Sequence, residues 1–351
     1  MTDEHTDPGD AIPAEIAGRI RRRGGTATIY DIADLAGVNP STVSRALGKP
    51  GRVSQPTEAR IRAAADQLDF HVNPMARALP TGRSHTLGLM VADITNPVIF
   101  DIVRGAEQAA TAEGYILVIA ESQESGATED EAATRLLLSV DGLILATTRL
   151  PDERIAALAR RKPVVLINRL VAGVGGVLPD VESGVHELIT HLADQGHRSL
   201  AYLSGPTTSW ISKRRWRAMA ALAEARGIAL VEIGPLAPTI DGGRDALHRV
   251  RVSRATAVIA FNDLMAIGLI QAATAAGLAI PDELSIAGFD DIFGSELIVP
   301  ALTTVRAQLE LAGQRAVNRL LQALANTHDD SDHHPLATTL VVRGSTGPAP
   351  A

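Results

Sequence analysis

Apolar residues recur along this chain with two different periods, and the change between them divides it. Over residues 28–47, TIYDIADLAGVNPSTVSRAL, the side chains of Ile29, Ile32, Ala33 and Ala36 share one face of a short helix. Gly37 can leave that helix in a left-handed conformation. Asn39 or Pro40 then opens a second helix, proline being tolerated in a first turn. Val43, Ala46 and Leu47 point back to the first helix, while Ser41, Thr42, Ser44 and Arg45 form a polar side. A third helix, over about 56–68, carries Ile61, Ala64, Ala65 and Leu68 on one face and closes a small core, with Ser54 or Thr57 as its N-cap. The pattern is a helix-turn-helix, whose second helix in DNA-binding proteins lies in the major groove. An ordinary helical hairpin has the same spacing.

From Thr86 the period shortens to continuous apolar runs alternating with amphipathic stretches. LGLMVAD, YILVIA, DGLILA and PVVLIN read as buried strands, with helices over 100–112, 129–138 and 152–160 between them. The pattern then repeats. Helices over 184–194, 214–225, 243–250 and 263–275 alternate with SLAYLSG, ALVEIG, AVIAF and LSIAGFD, and TTLVVRG is the final strand. Two such units predict a two-lobed α/β core, with ligands in the crevice beyond the carboxyl ends of the strands.

Four loops at strand ends carry candidate chemistry: 93–97 (DITNP), 205–215 (GPTTSWISKRR), Asn262-Asp263 and Asp290-Asp291. They offer carboxylates, amides, guanidinium groups and one indole. That mixture suits a polyhydroxylated ligand, because carboxylates accept hydroxyl protons, arginine donates a fork and an indole covers a sugar face. Asp290 and Trp210 are read as ligand contact and pocket wall. Arg215 either structures its loop or touches ligand, and Asp263 is read first as a helix N-cap.

Composition sharpens the division. The whole chain of 351 residues has a net charge of −7, which argues against a DNA binder. Residues 19–85 nevertheless hold eleven Lys/Arg against five Asp/Glu, on an otherwise acidic body. Such asymmetry is expected of a local phosphate-binding module. No apolar run approaches the roughly 20 residues of a membrane span. The acidic start lacks the order of a signal peptide, so a cytoplasmic address is expected. Without cysteine there is no disulfide, thiol nucleophile or thiolate metal site. Asp329, Asp330, Asp332, His333 and His334 read as a solvated loop rather than a metal site, and no cofactor is expected.

The stretch TIYDIADLAGVNPSTVSRALGKPGRVSQPTEARIRAAADQLDFHVNPMARAL resembles the lactose-repressor (LacI/GalR) family of bacterial transcription factors, and the resemblance continues to Arg343. DITNPVIFDIVRGAEQAA looks like the family's first pocket strand and helix, and IPDELSIAGFDDI matches its penultimate-strand motif. ALTTVRAQLELAGQRAVNRLL resembles the crossing back to the first lobe. The resemblance implies a flexible tail over 1–25, a helix-turn-helix domain over 26–72 and a hinge over 73–85. An N-terminal lobe over 86–180 with 308–336 and a C-terminal lobe over 181–307 with 337–345 follow, and 346–351 is a frayed tail. The basic cluster Arg19, Arg21, Arg22 and Arg23 is read as a solvated helix end.

Site residues follow from the same resemblance. Thr28 and Tyr30 would meet the DNA backbone, with Asn39 and Thr42 also holding phosphates. Pro40, Ser41 and Arg45 would face base edges, Arg45 being best suited to guanine, and Arg52 is a further base or phosphate candidate. Asn73, Arg77 and Leu79 belong to a hinge helix that pairs with its twin on DNA, Leu79 wedging into the minor groove. Pro80 departs from a frequent pattern, since proline supplies neither charge nor donor there. The effector set is Asp93, Asn96, Val98, Ile99, Trp210, Lys213, Arg215, Asn262 and Asp290. Val98 and Ile99 replace two aromatics found in many relatives, which leaves Trp210 as the main stacking group.

The expected protein is thus a homodimeric repressor of a near-palindromic operator, controlled by a sugar or related metabolite. No leucine heptad follows TTLVVRG, which favours a dimer over a tetramer. Two other classes share the core: a periplasmic-type solute-binding protein, and an enzyme acting on a sugar or nucleoside in the cleft. The missing signal sequence and the 28–79 stretch argue against the first. For the second, no Walker loop, GxGxxG, Gly-x-Ser-x-Gly or His-Glu-x-x-His occurs.

Overall fold

The computed structural model describes residues 12–48, 52–70, 83–327 and 334–350. They fall into two compact units that divide after Gly82.

The described residues of the first unit form a bundle of four helices: α1 (Ala14–Arg22), α2 (Ile29–Ala36), α3 (Pro40–Gly48) and α4 (Gln55–Gln67). Gly37 leaves α2 at φ 63°, where a Cβ would be strained, and turns the chain into α3. Ile32, Ala33, Val43, Ala46, Ile61, Ala64 and Ala65 make the core. The expectation of a flexible tail through residue 25 fails here. Ile16 is buried in this core, and Ile20, one turn later, packs against it. Arg19 and Arg23, also one turn apart, both ion-pair with the fully buried Asp31 of α2. A short basic stretch gains its helix from partners on α2 that its own sequence does not show.

In the second unit two sheets carry the two lobes. The first has the order β2-β1-β3-β4-β5, formed by β1 (Thr86–Val91), β2 (Ile116–Glu121), β3 (Gly142–Ala146), β4 (Val164–Ile167) and β5 (Gly175–Val177). All its pairings are parallel. Helices α5 (Val98–Ala112), α6 (Gly126–Leu136) and α7 (Asp152–Ala159) connect its strands. The second sheet has the order β11-β10-β9-β8-β6-β7. Its strands are β6 (Ser199–Leu203), β7 (Ala229–Ile233), β8 (Ala257–Ala260), β9 (Ser285–Asp290), β10 (Thr303–Ala307) and β11 (Thr338–Val341). Only β11 runs antiparallel to its neighbour. Its helices are α8 (Val181–Asp194), α9 (Trp210–Ala225), α10 (Ile240–Asp245), α11 (Leu247–Ser253) and α12 (Asp263–Ala275).

The chain returns to the first lobe along α13 (Leu309–Leu324), which shares a core with α5. A Cβ on Gly105 would lie 1.9 Å from the Glu310 carbonyl oxygen, and one on Gly313 2.1 Å from that of Ile102. The two helices therefore approach backbone to backbone, which only glycine permits at those positions.

Two strands, β5 and β10, are absent from the sequence expectation. β5 is only Gly175-Gly176-Val177, too short and glycine-rich to read as a strand, and β10 carries three hydroxyl or charged residues among its five. The frayed tail is also corrected. Ser345 is fully buried and exchanges hydrogen bonds with Ile286, and the buried His197 ring lies 3.1 Å from the Gly347 carbonyl oxygen. Backbone pairing with a core strand, invisible to composition, holds these residues.

Candidate functional site

Helix α2 starts where its capping carboxylate can be satisfied. Asp31 accepts the Thr28 backbone N–H at 2.8 Å and the Thr28 hydroxyl at 2.7 Å, which organises the first turn. Burial alone would push the Asp31 pKa up, but hydrogen bonds from Thr28 and Arg23 outweigh it and hold the carboxyl below its ordinary value. Thr28 is half-buried, whereas Tyr30 beside it is exposed.

On α3 the polar side lies outward. Asn39, Ser41, Ser44 and Arg45 are exposed, Pro40 and Thr42 half-buried, and Val43 and Ala46 face the core. Arg45 Nε donates to the Ser41 carbonyl at 3.1 Å, leaving the outer guanidinium nitrogens for a bidentate partner. Arg52 is exposed. Asn73, Arg77 and Leu79, with Pro80, lie outside the described residues, as do Asp329, Asp330, Asp332 and His333. Among the described residues no cluster of three potential metal ligands occurs.

In the second unit a small cavity opens between the two lobes. Asp93, Asn96, Val98 and Ile99 line it from the first lobe, and Arg215, Asn262 and Asp290 from the second. Asp93 makes an Asx turn, accepting Thr95 N–H at 2.8 Å and its hydroxyl at 2.6 Å. Val98 packs against the cores of both lobes. Asn262 caps α12 through Met265 N–H at 3.0 Å and donates to the Pro238 carbonyl at 2.9 Å. It holds the wall as well as lining it.

Arg215 is buried, donating to the Phe261 carbonyl at 2.5 Å and to Asp290 Oδ1 at 3.4 Å. Its guanidinium lies 4.1 Å from the Phe289 ring centroid and 5.5 Å from that of Phe261. Both rings are thereby partly occupied. Burial pushes the Asp290 pKa up to about 6 despite the opposing charge of Arg215.

Four expectations are corrected. Residues from Trp210 onward belong to α9 rather than to a loop, because Ser209 caps the helix. Trp210 then packs on the second-lobe core under Arg214, and is not among the cavity-lining residues. Lys213, on an exposed face of α9, also lies outside the lining. Asp263 is not the cap, a role Asn262 takes. Fully buried, it accepts hydrogen bonds from Ile292 N–H, Ser295 and Thr304, and burial together with the charge of Asp290 pushes its pKa up to about 8.

The lining also includes Glu124, Thr147, Arg149, Asn168 and Phe261, which sequence reasoning missed. Arg149 is buried and donates to Glu124 Oε2 at 2.7 Å and to the Thr147 carbonyl at 2.7 Å. Its own backbone N–H reaches Glu129, a carboxyl whose pKa burial pushes up. Glu124, Thr147, Asn168 and Asp290 all have positive φ, at 59°, 57°, 64° and 112°. Such conformations are costly for residues with side chains and cluster at functional sites. The available signal was position: Thr147, Asn168 and Phe261 come immediately after the strands β3, β4 and β8.

Comparison with known proteins places these observations. Residues 28–73 match the lacI family of bacterial regulatory proteins, and residues 189–346 match a periplasmic binding protein-like domain. The chain is 34% identical to the HTH-type transcriptional regulator GalR of Escherichia coli strain K12, over 86% of this chain and 92% of that one. It is 30% identical to the HTH-type transcriptional repressor CytR of the same strain, over 92% and 97%. Among solved structures it resembles the Lac repressor dimer bound to operator and the anti-inducer ONPF, at TM-score 0.81 and 26% identity, covering 92% of this chain and 99% of that one. It also resembles a complex of the transcriptional regulator CelR with cellobiose, at TM-score 0.67 and 26% identity, over 91% and 99%.

Proposed function

Since the chain belongs to the lacI family of bacterial regulatory proteins, and is a transcriptional regulator, we propose that it represses by binding a near-palindromic operator as a homodimer. A small neutral sugar or related polyhydroxylated metabolite in the cleft sets its operator affinity. The observation that carries this reading is the joint presence of an outward polar face on α3 and a cleft whose cations are already matched. Glu124 neutralises Arg149 and Asp290 stands beside Arg215, so no spare cation awaits an anionic ligand. The remaining amides, hydroxyl and carboxylates suit hydroxyl groups. The cellobiose complex of the similar CelR supports a sugar.

On DNA, Arg45 reads a guanine edge beside Pro40 and Ser41, while Thr28, Tyr30, Asn39, Thr42 and Arg52 hold the backbone. Dimerisation is supported by apolar residues left in solvent on both lobes. Edge strand β2 exposes Ile116, Val118 and Ile119, and the segment after β9 exposes Phe293, Leu297 and Val299. A dimer held at both places converts a change in lobe closure into a change between protomers. Asn73, Arg77 and Leu79, in the segment joining the two units, would carry that change to the operator.

The cleft is read as a binding site rather than a catalytic one. Asp263 has a raised pKa, but its carboxylate is taken up by Ile292 N–H, Ser295 and Thr304, and it does not line the cavity. No helix among the described residues is long and apolar enough to cross a membrane, and a chromosomal regulator of this kind works in the cytoplasm.

The test is selection of genomic DNA fragments by the full-length protein, with and without a panel of pentoses, hexoses and nucleosides. A palindrome released or tightened by one compound is expected. Arg45→Ala should relax discrimination at one base pair per half-site by about 1–3 kcal/mol. Equal weakening on all sequences would reduce Arg45 to a phosphate contact.

A further inference from the structure

Helix α1 lies outside the segment matched to the lacI family, which begins at residue 28. It is nevertheless built into the DNA-binding unit, and built at one particular end of it. Arg23 donates to the Thr28 hydroxyl at 3.0 Å and makes two hydrogen bonds to Asp31, at 2.7 and 2.8 Å. Arg19 pairs with Asp31 and Asp34. The last turn of α1 is therefore locked against the first turn of α2, where Thr28 stands.

Two cations of that turn are left over. Arg21 and Arg22 are exposed, while Arg19 and Arg23 on the flanking positions fix the helix that carries them. Among the described residues neither Arg21 nor Arg22 makes an ion pair. The Asp31 carboxylate, which would otherwise repel a phosphate near Thr28, is already neutralised by Arg19 and Arg23. A rigid, doubly cationic helix end beside a phosphate-facing helix start fits a polyanion.

We infer that α1 is an added DNA-backbone clamp, in which Arg21 and Arg22 contact operator phosphates next to those met by Thr28 and Tyr30. The inference rests on the operator-binding reading above. Arg19 and Arg23 are positioning residues that set the clamp through Asp31. Because the contacts are to phosphate, they strengthen binding to every sequence alike and make it more sensitive to salt.

The test measures operator and random-sequence affinity of the full-length protein between low and moderate salt, for the wild type and for Arg21→Ala/Arg22→Ala. Each lost phosphate contact lowers the slope of log affinity against log salt by about 0.9, so a dimer that loses four contacts should lose about 3–4 from its slope. Operator preference over random DNA should stay within about twofold, and Arg21→Lys/Arg22→Lys should restore most of the slope. Thermal unfolding of the double alanine variant should match wild type. A specific wild-type complex whose salt slope the alanine variant leaves unchanged would overturn this inference alone. A wild type that binds no DNA would overturn the functional reading as well. Loss of operator preference in the variant would make the two arginines sequence readers and equally refute a backbone clamp.

Discussion

The two walls of the cleft are each built around a buried arginine paired with a half-buried carboxylate, and the pairs differ in how tightly they are closed. On the first lobe, Arg149 Nε and Nη2 both reach Glu124 Oε2, at 2.7 and 2.6 Å, and Nη1 binds the Thr147 carbonyl. Every guanidinium nitrogen has a protein partner. On the second lobe, Arg215 reaches Asp290 only at 3.4 Å, and the Asp290 carboxyl is pushed up to about 6. Hydrogen bonds weaken steeply at that length, and the cost of burial is incompletely offset. The same residue types thus make a structural lock on one side and an unsaturated pair, ready to accept a hydroxyl group, on the other.

Breaking the lock should have the largest effect. Arg149→Ala leaves Glu124 without its cation and is expected to cost about 3 kcal/mol of stability in the second unit, read by chemical denaturation. Loss under about 1 kcal/mol would show that Arg149 is not a lock.

Asp290→Asn should weaken effector binding about 10- to 100-fold by calorimetry, with folding stability kept, since a poorly compensated buried charge is removed. The pH dependence sharpens the point. The folded pKa of Asp290 is raised, so the stability linked to its proton is present at low pH and lost as pH rises toward about 6. Asp263 acts in the same direction up to about 8. The effector-free wild type should therefore lose stability relative to Asp290→Asn as pH rises from about 4 to 6, whereas effector affinity should rise about tenfold between pH 5 and 7 as Asp290 ionises. In Asp290→Asn the affinity should become flat over that range. Flat affinity in the wild type would remove Asp290 as the acceptor.

The smallest effect on binding is expected from Trp210→Ala. The indole packs on the core under Arg214, so effector affinity should change less than about twofold while stability falls by about 1–2 kcal/mol. A large affinity loss would return Trp210 to the pocket wall.

Trp210 also shows where reading the chain in order stops working. The stretch after SLAYLS contains Gly, Pro and Ser, and it reads as a loop until Ser209 is seen to cap α9. A helix beginning at Trp210 turns the indole and Lys213 away from a cavity that Arg215, one turn further on, still lines. Glu124 and Arg149 were hidden for another reason. Neither belongs to a motif, and their placement at the cavity depends on left-handed backbone at Glu124 and on pairing between loops 25 residues apart.

Period and punctuation along the chain determined a great deal. The helix-turn-helix at 28–47 with Gly37 at its turn, two rounds of strand and helix, and a basic segment on an acidic body all follow from local spacing and charge, which neighbouring residues suffice to express. Tertiary structure alone decided the rest. It made α1 a docked helix by giving Arg19 and Arg23 the buried Asp31, stitched Ser345–Gly347 to β9, placed α13 against α5 at Gly105 and Gly313, and chose which arginines face the cleft. Each of these depends on a partner distant in sequence, and no periodicity encodes which distant group will satisfy a buried charge or an open backbone hydrogen bond.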